Sequence, residues 1–219
     1  MSHVTLVRHG QANSSARDEG GYDRLSPLGH DQARWLGDYL RDTGDVFVRV
    51  YSGTLRRHVE TAAGIAAPCD RETVLDPRLN ELEYFTMAAL MADQHGIPVP
   101  TDRESFVHHL PTLYRLWRDG AIEGAPESFD QFETRVSDAL HEIAAGTGRA
   151  LVVTSGGVIG MAMRVTMALD IPALAHACLA IRNASLHRFQ PLATGLALTQ
   201  FNATPHLDRR DRQHAWTHL

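Results

Sequence analysis

Three segments of the 219-residue sequence end an apolar run on polar residues and glycine: Arg8-His9-Gly10, Tyr51-Ser52-Gly53 and Thr154-Ser155-Gly156-Gly157. Glycine lets a chain turn sharply away from a strand, so each segment can leave a polar side chain standing at a strand end. His9 offers the most chemistry, because an unprotonated imidazole is nucleophilic near neutral pH. Arg8 beside it and Arg57 carry permanent charge on forked donors that match the oxygens of a phosphate ester. The amide of Gly156, at a glycine-opened helix start, adds a neutral anion donor. Phosphoryl transfer needs charge stabilisation and alignment more than covalent ingenuity.

These residues meet only if their strands are parallel and adjacent, since ligands of open α/β sheets bind at the edge where the strands end. Residues 4–7, 46–51 and 150–154 read as strands, the last the most apolar. Ser26-Pro27 resembles an N-cap with proline at the first helical position, and Ala33, Leu36 and Leu40 give a stripe that carries a helix to about residue 41. Residues 55–67 read as a helix closed by Pro68, and residues 158–169 as an almost wholly apolar one. Ser128 and Gln131 can form a capping box ahead of Phe132, Val136, Leu140 and Ile143, an amphipathic helix. Two late strands, at 185–189 and 196–201, precede a polar tail from Thr204. The alternation predicts an α/β fold: a three-layer α/β/α sandwich with a mainly parallel central sheet. We expect one domain over residues 1–219. Residues 82–127, with several prolines and scattered aromatics, read as a small inserted helical cap that selects the substrate.

Composition narrows the function classes. The net charge of −5 and pI of about 6.2 provide no basic field for nucleic acid or an anionic membrane surface. All 21 basic residues are arginine, which excludes Schiff-base chemistry and the lysine of a nucleotide-binding P-loop. Cys69 and Cys178 have no metal or redox spacing, and the N-terminus lacks the features of a signal peptide, so a cytoplasmic protein is expected. No segment has the length needed to span a bilayer. Among the 13 histidines, His108-His109, His206, His214 and His218 read as solvated surface rather than as metal ligands.

At this point the sequence resembles the histidine phosphatases, the phosphoglycerate mutase-like family whose opening motif is a strand followed by Arg-His-Gly. The resemblance runs from Leu6-Val7-Arg8-His9-Gly10-Gln11-Ala12 through Leu25-Ser26-Pro27-Leu28-Gly29 with Gln32-Ala33. It continues through Tyr51-Ser52 with Leu55, Arg57 and Thr61-Ala62 to Leu79-Asn80-Glu81. It implies a phosphomonoester hydrolase in which His9 takes the phosphoryl group to give a phosphohistidine. Arg8 and Arg57 then bind that group, and Glu81 is the acid/base, with Glu83 as the fallback. The implied substrate is a small phosphorylated metabolite or other phosphomonoester, and no metal or organic cofactor is implied.

The sequence departs from that pattern where the third strand should end in histidine, because Ser155 stands there. Serine can still donate to a phosphate oxygen, so Ser155 and Gly156 are expected to bind substrate, but a charge-assisted bond of about 1.5–3 kcal/mol is lost. Removing one such transition-state donor lowers a rate on the order of 100- to 1000-fold. A Ser155→His variant would then report what the missing imidazole contributes. His58 is a conceivable substitute, although adjacent helical side chains point about 100° apart. Ser155 does not fit a serine-hydrolase elbow, since Val153 occupies the position of its first glycine. Leu82-Glu83-Tyr84-Phe85 lacks the glycine and second acidic motif that many relatives place after Leu-Asn-Glu. The alternative function is an impaired phospho-ligand binding or regulatory protein of the same fold, and a phosphoglycerate mutase ranks third.

Overall fold

Val4 and Leu6 pack on one side with Ala150 and Val152, while Val7 packs on the other with Leu151 and Val153. A period of two is what strands impose, and two apolar faces require cover on both. The computed structural model describes residues 2–218 except Arg17, Pro68, Asp70 and Arg71. The described elements open with β1 (His3–Arg8), α1 (Glu19–Tyr22), α2 (Pro27–Asp42), β2 (Arg49–Ser52), α3 (Arg56–Ile65) and β3 (Val74–Leu75). Then come α4 (Tyr84–His95), α5 (Arg103–Arg118), α6 (Phe129–Ala145), β4 (Arg149–Thr154), α7 (Gly156–Met167), α8 (Ile171–Ala180), β5 (Leu186–Leu192) and β6 (Gly195–Ala203).

The strands form one six-stranded sheet in the order β3-β2-β4-β1-β5-β6. β1, β4, β2 and β3 run parallel, and β5 and β6 complete the sheet antiparallel. One face is covered by α2 and α3 through Ala33, Leu36, Leu40 and Ile65. The other carries the larger core, to which α4 and α5 of the 82–127 segment contribute Met87, Met91, Leu113 and Trp117. The architecture is the expected mixed α/β fold with a mostly parallel sheet.

Local signals act where the sequence places them. Ser26 Oγ accepts from the Gly29 amide at 3.1 Å and starts α2, and Ser128 and Gln131 close a reciprocal capping box at α6. The register pairs Arg8 with Thr154 and Ser52 with Val153, so three strand ends share one edge.

Four expectations change. β2 starts only at Arg49, because Val46 and Val48 are exposed while Phe47 alone turns into the core. α3 ends at Ala66, which takes a left-handed φ of 43°; Pro68, expected to close it, lies outside the described residues. α1, β3 and α8 add to the expected elements. The polar tail is not merely solvated: His206, Leu207 and Ala215 are buried, and Gln32 Nε2 donates to the Ala215 carbonyl at 2.8 Å. Among the described residues no helix is long and apolar enough to cross a membrane.

Burial, aided by Arg8 for His187 and Arg212 for His206, pushes both imidazoles from 6.5 to about 3. Below 6.5 the unfolded chain takes up protons at both positions and the folded chain does not, so stability falls with pH. Integrated from the half-protonated point, these two groups predict a loss of about 3 kcal/mol between pH 6.5 and 5. Denaturant melts across that range check this; a flat or rising profile would contradict it.

Candidate active site

The site is assembled at the shared strand edge. The His9 amide donates to the Thr154 carbonyl at 2.8 Å, which extends the β1–β4 pairing by one residue. The Gly10 amide donates to Thr61 Oγ at 3.0 Å, and that hydroxyl donates to the Arg57 carbonyl at 2.7 Å, tying the turn to the first half of α3. Gly10 must be glycine, because a Cβ there would collide with the Gly29 carbonyl at the start of α2.

His9 is 2 % exposed. Its Nδ1 lies 2.7 Å from the Gly10 carbonyl oxygen. A carbonyl only accepts, so Nδ1 carries the hydrogen and Nε2 keeps its lone pair. Burial above all, then the charges of Arg57 and Arg8, hold this imidazole well below its ordinary range. The ring is neutral near pH 7, the form a nucleophile requires.

Two guanidiniums flank it. The buried Arg57 donates through Nη1 to Asp23 Oδ1 at 3.0 Å and stands over the Tyr22 ring, 5.1 Å from its centroid. Arg8 Nη1 donates to the carbonyls of Ile181 and, at 2.7 Å, His218. The Nε of each is buried without a hydrogen-bond partner among the described residues. A buried donor left unpaired is unfavourable by about 1–3 kcal/mol, which an anion's oxygen would relieve.

Glu81 borders the same cavity as His9, Arg8 and Arg57. Its Oε2 accepts from the Gly157 amide at 2.8 Å and its Oε1 from the Leu82 amide at 3.1 Å. Only glycine at 157 permits this approach, since a Cβ there would collide with the carboxylate. Glu83 is exposed, lies outside the cavity and accepts from the Thr86 hydroxyl at 3.1 Å. Gly156 lines the cavity.

Ser155, expected with Gly156 to contact substrate, is not among the residues bordering the cavity: it is fully buried at the N-cap of α7 without capping it, and its Oγ lies 2.6 Å from His58 Nε2. The His58 ring is also fully buried, 5.7 Å from that of His9. The divergence expected between Arg57 and His58 is real, yet both flank His9: Arg57 reaches Tyr22, and His58 reaches Ser155.

Several site residues have weak signals in the sequence. Asp18 caps the four-residue α1 by accepting from the Gly21 amide at 2.7 Å, and this turn puts Glu19 and Tyr22 on the cavity wall. Two glycines inside the turn hide it from any periodicity. Glu19 Oε1 accepts from the Phe85 amide at 2.7 Å, and burial holds its carboxyl above the usual range. Asn183 supports the turn by donating to the His9 carbonyl at 3.2 Å. Gln11 lines the cavity, whereas the Asn13 amide turns to the Gly21 carbonyl at 3.0 Å. The cavity holds about 440 Å³, and beside its polar residues it is lined by Tyr22, Tyr84, Phe85, Phe106, Leu110 and Tyr114.

The model of the histidine phosphatase superfamily, branch 1, matches residues 4–204. The chain belongs to the histidine phosphatase superfamily. A probable phosphoglycerate mutase, GpmB, of Enterobacter sp. (strain 638) is 32 % identical over 219 residues, 95 % of this chain and 96 % of the relative. Among solved structures, phosphoglycerate mutase from Bacillus anthracis str. Sterne aligns with a TM-score of 0.70 at 20 % identity, over 94 % of each chain. A phosphoserine phosphatase mutant from Entamoeba histolytica, in complex with phosphoserine, aligns with a TM-score of 0.67 at 21 % identity, over 94 % of this chain and all of that one. These two likenesses establish the fold; the named relatives in the superfamily are phosphatases and mutases.

For this member of the superfamily, the Gly10 carbonyl and the two arginines predict the protonation state of His9. Nitrogen-15 spectra at pH 6 should show a neutral ring with hydrogen on Nδ1. An imidazolium at that pH, or hydrogen on Nε2, would contradict the geometry.

Proposed function

We propose that the protein is a phosphomonoester hydrolase that passes the phosphoryl group through His9 and prefers esters with an apolar leaving group. The observation that carries this reading is the neutral His9 with its free Nε2 lone pair, held between two guanidiniums in a cavity with aromatic lining.

In the first step Nε2 attacks phosphorus, the ester P–O bond breaks, and a carboxyl group gives its proton to the departing oxygen. Nδ1 keeps its hydrogen, donated to the Gly10 carbonyl, throughout. In the second step the resulting carboxylate takes a proton from water, the water oxygen attacks phosphorus, and the P–N bond breaks. Inorganic phosphate and the starting forms of both groups result. Glu81 is assigned the carboxyl role because it borders the cavity beside the start of α7, and Glu19, which also borders it, is the competing group. Arg8, Arg57 and the Gly156 amide are assigned to the phosphoryl oxygens.

Superfamily membership admits mutases as well as phosphatases. The aromatic wall favours hydrolysis of apolar esters over reaction with phosphoglycerate, whose carboxylate calls for a further cation. Beyond Arg8 and Arg57, the arginine bordering the cavity among the described residues is Arg103, which is exposed. An apolar group in the cavity gains about 25 cal/mol per Å² of surface removed from water.

Phosphate release by the purified protein tests the reading. The kcat/KM for 4-nitrophenyl or 1-naphthyl phosphate should exceed that for phosphoserine or 3-phosphoglycerate by at least about tenfold, the range expected for one or two buried apolar contacts. His9→Ala should abolish turnover, and Glu81→Gln should lower kcat by about 100- to 10,000-fold, with a smaller effect of Glu19→Gln. Retained turnover in His9→Ala would overturn the nucleophile. The reverse order of the two carboxyl variants would move the acid to Glu19.

A further inference from the structure

The Ser155–His58 contact stands apart from the other polar pairs near the site. Both residues are fully buried, and they come from elements 97 positions apart in sequence. A serine at a helix N-cap normally accepts from an amide of the first turn. Ser155 does not, and the Gly157 amide is taken by Glu81 instead. Its hydroxyl is turned to His58 Nε2.

Room for the imidazole has been left on its other side. A Cβ on Gly53 would collide with His58 Nδ1, so the glycine that ends the second strand segment is what admits this ring. Nδ1 itself is buried with no hydrogen-bond partner among the described residues. An orphaned buried N–H is rarer in proteins than an under-used acceptor, so the hydrogen belongs on Nε2, where it is donated to Ser155 Oγ. The serine's own hydrogen is then available to another acceptor. Burial, with the charge of Arg57 behind it, keeps His58 neutral near pH 7.

We propose that the imidazole missing from position 155 is replaced from α3 by His58, which holds Ser155 and with it the start of α7, where Gly156 borders the cavity at His9 and the Gly157 amide holds Glu81. The inference rests on the reading of the site as a phosphoryl-transfer centre. It makes His58 a positioning residue: it acts through Ser155 and braces the His9 ring at 5.7 Å. It also revises the expectation for Ser155→His. With His58 in place and both positions at zero exposure, a second imidazole at 155 is overpacked and impairs the site. Removing His58 makes room for it.

The test compares the native protein with His58→Gln, His58→Leu, Ser155→His and Ser155→His/His58→Ala, each checked for folding by circular dichroism. Two readouts are taken: the binding of orthovanadate by calorimetry, and kcat and KM for 4-nitrophenyl phosphate. His58→Gln, which keeps an N–H donor, should stay within about fivefold of native in both. His58→Leu, which fills the space without a donor, should lose on the order of 100-fold in kcat and at least tenfold in vanadate affinity, with KM changed little. Ser155→His should be impaired, and the double variant should recover to within about tenfold of native. If leucine serves as well as glutamine in vanadate binding, or the double variant is no better than Ser155→His, His58 is only a packing residue and the proposal fails. A native protein that binds vanadate but releases no phosphate would defeat the hydrolase reading alone, and the vanadate series would still decide the role of His58.

Discussion

The bond from His9 Nδ1 to the Gly10 carbonyl fixes which nitrogen of a buried imidazole is free, and much of the surrounding structure exists to hold that bond. Gly10 can present its carbonyl to the ring only because the chain leaves β1 in a turn pressed against Gly29. That turn is anchored through Thr61 to α3 and through Asn183 to the loop ahead of β5. A protonated His9 between Arg8 and Arg57 would set three cations together in a dry site, so neutrality of the ring is the condition under which both arginines can stay. Each arginine keeps a buried Nε without a hydrogen-bond partner among the described residues, the donors that the proposed phosphate ester would take up.

Parallel pairing does the assembling. Because β4 lies between β1 and β2, the Arg-His-Gly turn, the Ser52-Gly53 turn and the start of α7 emerge side by side. Glycines at 10, 53 and 157 then let backbone or side chains come closer than any Cβ would permit. Each accommodates a different partner: the start of α2, the His58 ring and the Glu81 carboxylate. The aromatic wall comes from elsewhere, from α1 and from the helices of the 82–127 segment. The polar part of the cavity is thus built around the strand ends, and its aromatic wall on inserted elements.

Much of this was legible in the sequence, for physical reasons. Alternate burial on two faces made β1 and β4 read as continuous apolar runs, and Ser26, Pro27, Ser128 and Gln131 announced two helix starts. The strand-end glycines marked the site before any contact was known. Other features depend on tertiary context. Val46 and Val48 look like strand residues but lie ahead of the pairing, and α1 is a single turn containing two glycines. α8 continues an apolar stretch in which only Asp170 and Pro172 signal a new helix. Burial of His206 and of His109, both expected at the surface, depends on what packs over them and leaves no mark on local spacing. The choice of Glu81 over Glu83 as the residue facing the cavity follows from which of them the Gly157 amide can reach. The meeting of His58 with Ser155 needs the β2–β4 pairing and is invisible to local spacing.

The central claim is that the phosphoryl group resides on His9 Nε2 between the two chemical steps. Acid quenching would destroy such a phosphoramidate, so the direct measurement is a rapid alkaline quench after mixing with 4-nitrophenyl phosphate, followed by peptide mass spectrometry. A phosphoryl adduct on His9 that forms within the first turnover and is absent from His9→Ala is the expected result. Phosphate release at an undiminished rate with no adduct on His9, or with the adduct on another residue, would contradict the account.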